Sequence, residues 1–288
     1  MSDIGSAPNR VGVLGGGRMG AGIAHAFLLA GSHVSVIERD AASADAALTR
    51  IGDSIRRSVD RDPSLDETEL TARITTGVDP GAFAAVDLAI EAVPEDRALK
   101  EDALSRADAV LPPTAVLASN TSSISIDDLA AGRRHPERFL GLHFFNPVPA
   151  SALVEVVRGA ATDRAVVESA TAWVAALGKT PIVVSDSPGF ASSRLGVMLG
   201  LEAIRMLEEG VASAADIDAA MTLGYRHPMG PLRTTDIVGL DVRLGIAEEL
   251  ERTLGERFAA PELLRRMVAE GKLGRKSGEG FYAWNEER

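Results

Sequence analysis

Eight short apolar runs, separated by stretches of helical periodicity, organise the first two thirds of the chain. They occupy residues 10–14, 33–37, 74–76, 86–90, 115–118, 139–142, 153–157 and 181–184. Runs of this length alternating with helical segments predict an α/β domain built on a doubly wound, mostly parallel sheet. Ser185-Asp186-Ser187-Pro188-Gly189 then supplies a cluster of turn residues and a boundary. Residues 1–186 therefore read as one domain and residues 187–288 as a second, all-helical one.

From Phe190 onward the period is helical. Leu195, Met198, Leu199, Ile204, Met206 and Leu207 lie on a long helix, apolar almost all round, that Gly210 stops. Ser213, with Asp216 three residues on, predicts an N-terminal cap for a short helix to Leu223 that Gly224 ends. Further helices are expected over 236–254 and 261–270, the latter stopped by Gly271. A helix apolar on all sides must be covered, by its own bundle or by a second copy of the chain. The second course makes the protein a homodimer through this domain.

Composition narrows the function. Apolar residues make up 45% and charged residues 25% of 288, as in soluble globular proteins. With no cysteine, disulfides and thiolate metal sites are excluded, and a cytoplasmic location is the expectation. Met1-Ser2-Asp3-Ile4-Gly5 shows no basic stretch leading into an apolar one, so no signal peptide is read there. No apolar run approaches the roughly 18 residues of a membrane span. A net charge of −11 argues against a nucleic-acid partner. It leaves room for a phosphorylated ligand, because helix N-termini bind phosphate through backbone N–H groups. No metal-ligand spacing is present.

The first run leads straight into Gly15-Gly16-Gly17-Arg18-Met19-Gly20, followed by a helix and a second run that ends at Glu38. That strand–turn–helix–strand setting is what a G-x-G-x-x-G loop needs to bind a dinucleotide. Gly15 permits the tight turn, Gly17 lets a pyrophosphate reach the backbone, and Gly20 lets helix and strand pack closely. Glu38 is placed to accept bonds from the adenosine ribose and to repel a 2′-phosphate, which makes NAD the expected cofactor despite Arg39 beside it.

The other chemistry-bearing residues fall at the ends of later runs. Glu91 and Glu95 follow the fourth, Ser119 to Ser123 the fifth, and His143 the sixth. Open α/β sheets bind ligands outside the carboxyl ends of their strands, so these residues are collected along one edge. Glu155 interrupts the apolar run Leu153-Val154-Glu155-Val156-Val157. An unpaired charge is costly to bury, and His143 is the nearest partner in sequence. A carboxylate that orients a histidine makes a general acid/base for neutral pH. The plainer reading is a histidine satisfied in a loop and a glutamate on a wet strand edge. Arg56, Arg57 and Arg61 read as a solvated helix face, with a phosphate contact as the alternative, and Lys272, Arg275 and Lys276 as exposed loop charges.

Taken together, the motifs resemble those of the short-chain L-3-hydroxyacyl-CoA dehydrogenases, including bacterial 3-hydroxybutyryl-CoA dehydrogenases. The resemblance rests on the glycine loop, Ile90-Glu91-Ala92-Val93-Pro94-Glu95, Ser119-Asn120-Thr121-Ser122-Ser123 and Leu142-His143-Phe144-Phe145-Asn146-Pro147-Val148. It continues through the Glu155 run, Asp186-Ser187-Pro188-Gly189-Phe190, Pro228-Met229-Gly230-Pro231-Leu232 and Gly280-Phe281-Tyr282. It implies a Rossmann-type NAD-binding domain, a helical domain that dimerises, and an acyl-CoA substrate of fatty-acid oxidation. By it, His143 is the catalytic acid/base, Glu155 orients it, Ser122 bonds the substrate 3-oxygen, and Asn146 places substrate and nicotinamide. Arg18, Met19 and Asn120 fall on the cofactor side, and Glu95 and Lys100 match positions that touch its ribose and phosphates. One position departs: the family commonly has asparagine where this chain has Ser193, in Gly189-Phe190-Ala191-Ser192-Ser193-Arg194. A hydroxyl is shorter than the amide and offers one donor for two, which bears on the substrate. Three other readings share these residues: the same chemistry on a carrier-protein thioester, on a free hydroxy acid, or a dinucleotide-binding structural protein without catalysis.

Overall fold

All eight apolar runs are strands of one sheet. The computed structural model describes residues 6–284; the N-terminal segment read above for a leader lies outside the described residues. The strands are β1 (Arg10–Leu14), β2 (His33–Ile37), β3 (Ile74–Gly77), β4 (Leu88–Glu91), β5 (Val116–Ser119), β6 (Phe139–Phe144), β7 (Leu153–Arg158) and β8 (Thr180–Ser185). Their order across the sheet is β3-β2-β1-β4-β5-β6-β7-β8. β1 to β6 run parallel, β7 turns back against β6, and β8 runs parallel to β7. The direction changes there because only eight residues, 145–152, join β6 to β7. A parallel crossover takes about a dozen residues or more, so the chain can only double back.

Helices α1 (Arg18–Leu29), α2 (Ala41–Arg61), α3 (Glu67–Ala72), α4 (Arg97–Asp108), α5 (Ile126–Ala130) and α6 (Arg164–Ala176) fill the connections. Side-chain caps start several of them. Asp40 accepts from Ser43 N–H at α2, and Asp96 from Leu99 N–H at α4. Val11, Val13, Val36, Leu88, Ile90, Ala118, Leu140, Val154 and Val156 are wholly buried and carry one continuous core through the sheet. Each side chain the size of valine or leucine contributes about 1.5–3 kcal/mol on burial.

The chain divides into two compact units, Met1–Asp186 and Ser187–Arg288. In the second, α7 (Ser192–Glu208), α8 (Ala214–Ala219), α9 (Pro231–Val238), α10 (Leu240–Leu254) and α11 (Glu262–Ala269) pack around Val197, Leu201, Ile204, Leu232, Leu240, Ala247, Leu250 and Leu264. Ser213 caps α8 through Asp216 N–H, as its spacing predicts. Three expectations need correction. Residues 220–224 form a wider π turn where the short helix was to continue. The single helix over 236–254 is two, because Gly239 at φ 106° breaks it in a conformation an L side chain rarely adopts. α7 is not apolar all round in its packing: it buries Val197, Leu201 and Ile204 and leaves Leu195 71% exposed. Among the described residues no helix is long and apolar enough to cross a membrane.

Asp218 and Asp236 fasten the end of this unit. Asp218 accepts from Leu232 N–H, Arg233 N–H and Tyr282 O–H at 2.8–2.9 Å. Asp236, fully buried, accepts from the N–H groups of Phe281 and Tyr282 and from the Trp284 indole. Lys272, Arg275 and Lys276 are less idle than expected. Lys272 pairs with Glu270 and Glu279, Lys276 pairs with Asp241, and Arg275 lies 6.0 Å from the Trp284 ring centre.

Candidate active site

Strand order reverses between β1 and β4, and the carboxyl ends of β1 to β6 form one edge of the sheet. Gly15 turns the chain there at φ 87°, its N–H bonded to Ile37 O at 2.8 Å. A Cβ on Gly20 would sit 1.8 Å from Gly15 O, so only glycine lets α1 start this close to β1. A Cβ on Gly17 would meet nothing within 4 Å: the loop backbone is open on the side from which a pyrophosphate approaches. Gly17 and Arg18 are exposed and Met19 half-buried. Gly17 also begins α1 with no side-chain cap, so the first N–H groups of that helix stand available to an anion.

Glu38 completes this corner. Its Oε1 accepts Gly16 N–H at 2.7 Å and its Oε2 accepts Arg39 N–H at 3.2 Å. The carboxylate thus fixes the turn and still presents lone pairs outward. The Arg39 guanidinium is paired with Asp40, which answers the concern that it offsets Glu38. These groups fit a dinucleotide without a 2′-phosphate.

The next two strand ends hold a network that no local periodicity announces. Glu91 closes β4 fully buried, accepting from Ser119 Oγ at 2.5 Å, Val93 N–H at 2.7 Å and Lys100 Nζ at 2.8 Å. Lys100, 1% exposed, also donates to Val93 O and lies 3.2 Å from Glu95 Oε2. Three oxygens therefore meet its three protons. Lys100 is an internal cation that holds two carboxylates. Burial drives the Glu91 carboxyl up, against the pull of Lys100. Burial also raises Glu95, but Lys100, Thr121 and Ser122 together outweigh it and hold Glu95 below the usual range.

Glu95 in turn organises the loop after β5. Its Oε1 receives Thr121 Oγ at 2.6 Å, Ser122 N–H at 2.9 Å, Ser123 Oγ at 3.0 Å, Ser123 N–H at 3.1 Å and Ser122 Oγ at 3.3 Å. Five donors exceed what one carboxylate oxygen accepts well. The Ser122 hydroxyl is the longest of them and the most readily turned to another acceptor. Asn120 Oδ1 accepts Phe144 N–H at 2.9 Å and so joins this loop to β6.

His143 lies inside β6, one residue short of its end, rather than opening the loop. The antiparallel register sets it directly opposite Glu155. Its Nδ1 lies 2.7 Å from Glu155 Oε2, with the histidine 6% and the glutamate 0% exposed. That overturns the plainer reading of a wet glutamate and a loop histidine. The carboxylate can only accept, so Nδ1 carries the proton and Nε2 is the nitrogen that can exchange one with a ligand. The Phe145 ring packs 4.5 Å from the imidazole and limits its tilt.

Asn146 stands exposed in the loop that follows. Lys179, which the sequence left unremarked, donates to Val148 O and Ser151 O at 2.6 Å each and clamps that loop. Ser193 belongs to the second unit, half-buried in the first turn of α7. Arg56 pairs with Asp53 and Arg57 bonds Ser54 Oγ, as suits a solvated helix face. Sequence reasoning passed over Lys179, and it did not pair Glu91 with Lys100. A carboxylate ending an apolar strand, with a lysine in the first turn of the next helix, was the available signal.

Comparison with known proteins agrees along the whole chain. The 3-hydroxyacyl-CoA dehydrogenase NAD binding domain matches residues 10–187, and the 3-hydroxyacyl-CoA dehydrogenase C-terminal domain matches 189–284. A 3-hydroxybutyryl-CoA dehydrogenase of Mycobacterium tuberculosis is 43% identical, over 99% of this chain and 100% of its own. One of Bradyrhizobium diazoefficiens is 42% identical over 95% and 94%. The crystal structure of (S)-3-hydroxybutyryl-CoA dehydrogenase from Ralstonia eutropha superposes with a TM-score of 0.92 at 38% identity, covering 97% of this chain and 100% of that one.

Proposed function

Since the chain belongs to the 3-hydroxyacyl-CoA dehydrogenase family and is an NAD-dependent oxidoreductase, we propose that it interconverts (S)-3-hydroxybutyryl-CoA and acetoacetyl-CoA. One observation carries the reading: a buried histidine–carboxylate pair on the sheet edge that also bears the glycine loop and the Ser122 loop.

In the oxidation, the substrate 3-hydroxyl gives its proton to Nε2 of neutral His143. Glu155 stabilises the imidazolium that forms. Ser122 Oγ turns from Glu95 to hydrogen-bond the developing carbonyl oxygen, and Asn146 helps hold the thioester side of the substrate. Bound NAD supplies the acceptor for the C3 hydride. The glycine loop and the start of α1 receive its pyrophosphate, and Glu38 its adenosine ribose. Glu95, held by Lys100, would contact the ribose next to the nicotinamide, and Asn120, Arg18 and Met19 would also lie on the cofactor side. In the reduction, protonated His143 returns the proton to the ketone.

The chain acts as a cytoplasmic homodimer in fatty-acid oxidation. Leu195, Val211, Leu223 and Tyr225 of the second unit, 60–82% exposed, are the apolar surface a second copy would cover. Sedimentation should give the mass of two chains; a monomer at micromolar concentration would overturn this part.

Initial rates of NADH oxidation with acetoacetyl-CoA, its carrier-protein thioester and free acetoacetate test the reaction. The CoA thioester should give the highest kcat/KM. A preference for either other form would change the carrier, and no turnover with NADH still bound would leave a dinucleotide-binding protein.

A further inference from the structure

Lys179 stands at the turn between α6 and β8, and that turn fixes its backbone. Gly178, at φ 71°, bonds Ala175 O through its N–H at 2.9 Å, and Lys179 N–H bonds Val174 O at 3.3 Å. This is the closure that a glycine just past a helix allows. Thr180 N–H then bonds Ala152 O at 2.6 Å, so β8 begins beside the end of the 145–152 loop. From there the Lys179 side chain reaches back across the loop to Val148 O and Ser151 O, 2.6 Å from each. Burial lowers the pKa of its ammonium group, and no neighbouring charge draws it back. A half-buried cation spent on two neutral oxygens is an unusual use of lysine, which more often keeps its charge in water.

The loop is held from its other side by α1. Val148 is 2% exposed, and a Cβ on Gly22 of α1 would lie 2.9 Å from its Cβ and 3.0 Å from its Cγ2. Only a hydrogen fits there. A glycine inside a helix costs stability relative to alanine, and here the space goes to Val148. Val148 is therefore fixed twice, its side chain by α1 and its carbonyl by Lys179. Ala150 N–H and Ser151 N–H both bond Pro147 O, at 3.0 and 3.1 Å, and close the loop on itself. Asn146 lies two residues before Val148 and directly after Phe145, whose ring packs 4.5 Å from the His143 imidazole. The clamp thus acts on the stretch of chain that passes the histidine as it leaves β6.

We propose that Lys179 is a positioning residue for the reaction, which sets the placement of Asn146 by holding the Val148 carbonyl. The bond to Ser151 O keeps the lysine side chain over the loop. The inference rests on the proposed role of Asn146 in holding the substrate. A polar group displaced by roughly 1 Å from its working position can cost about 10²-fold in rate, so a clamp two residues away has leverage on turnover.

The test follows acetoacetyl-CoA reduction by the native protein, Lys179→Met, Lys179→Arg, Asn146→Ala and the Lys179→Met with Asn146→Ala double variant. Lys179→Met should lower kcat by about 10–100-fold while the Kd for NADH stays within about 2-fold of native. Lys179→Arg, with N–H donors enough for both carbonyls, should recover most of that loss. The double variant should be slower than Asn146→Ala by no more than about 3-fold, because two residues acting as one unit do not add. Native kcat in Lys179→Met, losses that multiply, or NADH affinity falling in step with kcat would each overturn the proposal. If Lys179→Met does not fold, Val148→Ala releases the same loop from α1. It should give the same kcat loss and the same non-additivity with Asn146→Ala, and additive losses would again overturn the proposal. Hydrogen exchange reads the clamp without turnover: Lys179→Met should speed exchange at Ala150 and Ser151 by about 10-fold or more and leave α1 at native rates. Unchanged exchange overturns the clamp whatever the substrate. A native protein that leaves acetoacetyl-CoA unreduced, in which Lys179→Met still frees the loop, overturns the proposed function alone.

Discussion

Glu155 stands directly across the antiparallel ladder from His143, with Oε2 2.7 Å from Nδ1 and both side chains shut away from water. The carboxylate selects the tautomer and supports the charge that appears when the ring takes a proton. His143→Ala is expected to lower turnover by about 10²–10⁴-fold, the usual share of general acid/base catalysis. Glu155→Gln should also lose turnover while still binding NADH. Stopped-flow rates on variants with native far-UV spectra check both; near-native turnover in either would remove the pair from the chemistry.

The cofactor preference is expected to depend on Glu38, since the Arg39 side chain is already paired with Asp40. The native protein should favour NADH over NADPH in kcat/KM, and Glu38→Gln should narrow the gap by weakening NADH and relieving the repulsion of the 2′-phosphate. The two specificity constants measured on each protein settle it. An NADPH preference in the native protein would contradict the ribose assignment.

Ser193→Asn restores the longer side chain and its second donor. A water relay in place of a direct bond costs about 0–2 kcal/mol, so the variant should raise kcat/KM for acetoacetyl-CoA by up to about 10-fold. A large loss in a folded, NADH-binding variant would show a site shaped around serine and a different acyl group.

Lys100 is 1% exposed and Glu91 0%. Lys100→Met strands a buried carboxylate and should cost about 3–5 kcal/mol of stability in the first unit. The pair Lys100→Met with Glu91→Leu should recover part of it, because the fully buried carboxylate is then gone and only the more exposed Glu95 has lost its cation. Urea unfolding followed in that unit checks the order of the three proteins. A double variant no more stable than the single would mean that the ion pair itself, rather than the stranded charge, sets the cost.

His25 gives a pH dependence of known sign. Its ring lies between α1 and α2, with Nε2 3.0 Å from Ser58 Oγ; burial, then the charge of Arg57, lower its pKa to about 4. The unfolded chain takes up this proton near pH 6.5 and the folded one only near 4. The contribution is therefore whole above the unfolded value and declines as pH falls toward the folded one. Between pH 7 and 5 the native protein should lose about 1–2 kcal/mol that a His25→Gln variant keeps. Equal losses in the two proteins would show that the ring does not titrate in this way.

Much of this architecture is legible in the sequence because its signals are local. Each strand is an apolar run between turn residues, and the Gly15 to Gly20 loop sits between a run and a helix. The position of Glu155 among valines marks a charge that needs a partner. The parts that were not legible depend on packing between elements. Val238 and Leu240 keep up the apolar pattern across Gly239, so nothing local marks the break at φ 106°. Lys100 looks like any lysine in a polar helix until α4 closes over β4. Arg243 of α10 looks equally solvent-facing, yet it is 6% exposed and packs against Gly196 and Gly200 of α7.

The reversal of β7 also sets where the site is fragile. Side chains in a strand alternate faces, so removing one residue from β7 ahead of Glu155 would bring Val156 opposite His143 and turn the carboxylate to the other side. Valines flank Glu155 on both sides, so the shifted strand would remain an apolar strand. Such a deletion would leave a protein that folds and binds its dinucleotide but cannot move a proton. Length changes within residues 149–152, past Phe145, Asn146 and buried Val148, carry no such penalty while the strand pairing holds. Inherited insertions and deletions should therefore be found in that loop and be absent from the strand after it.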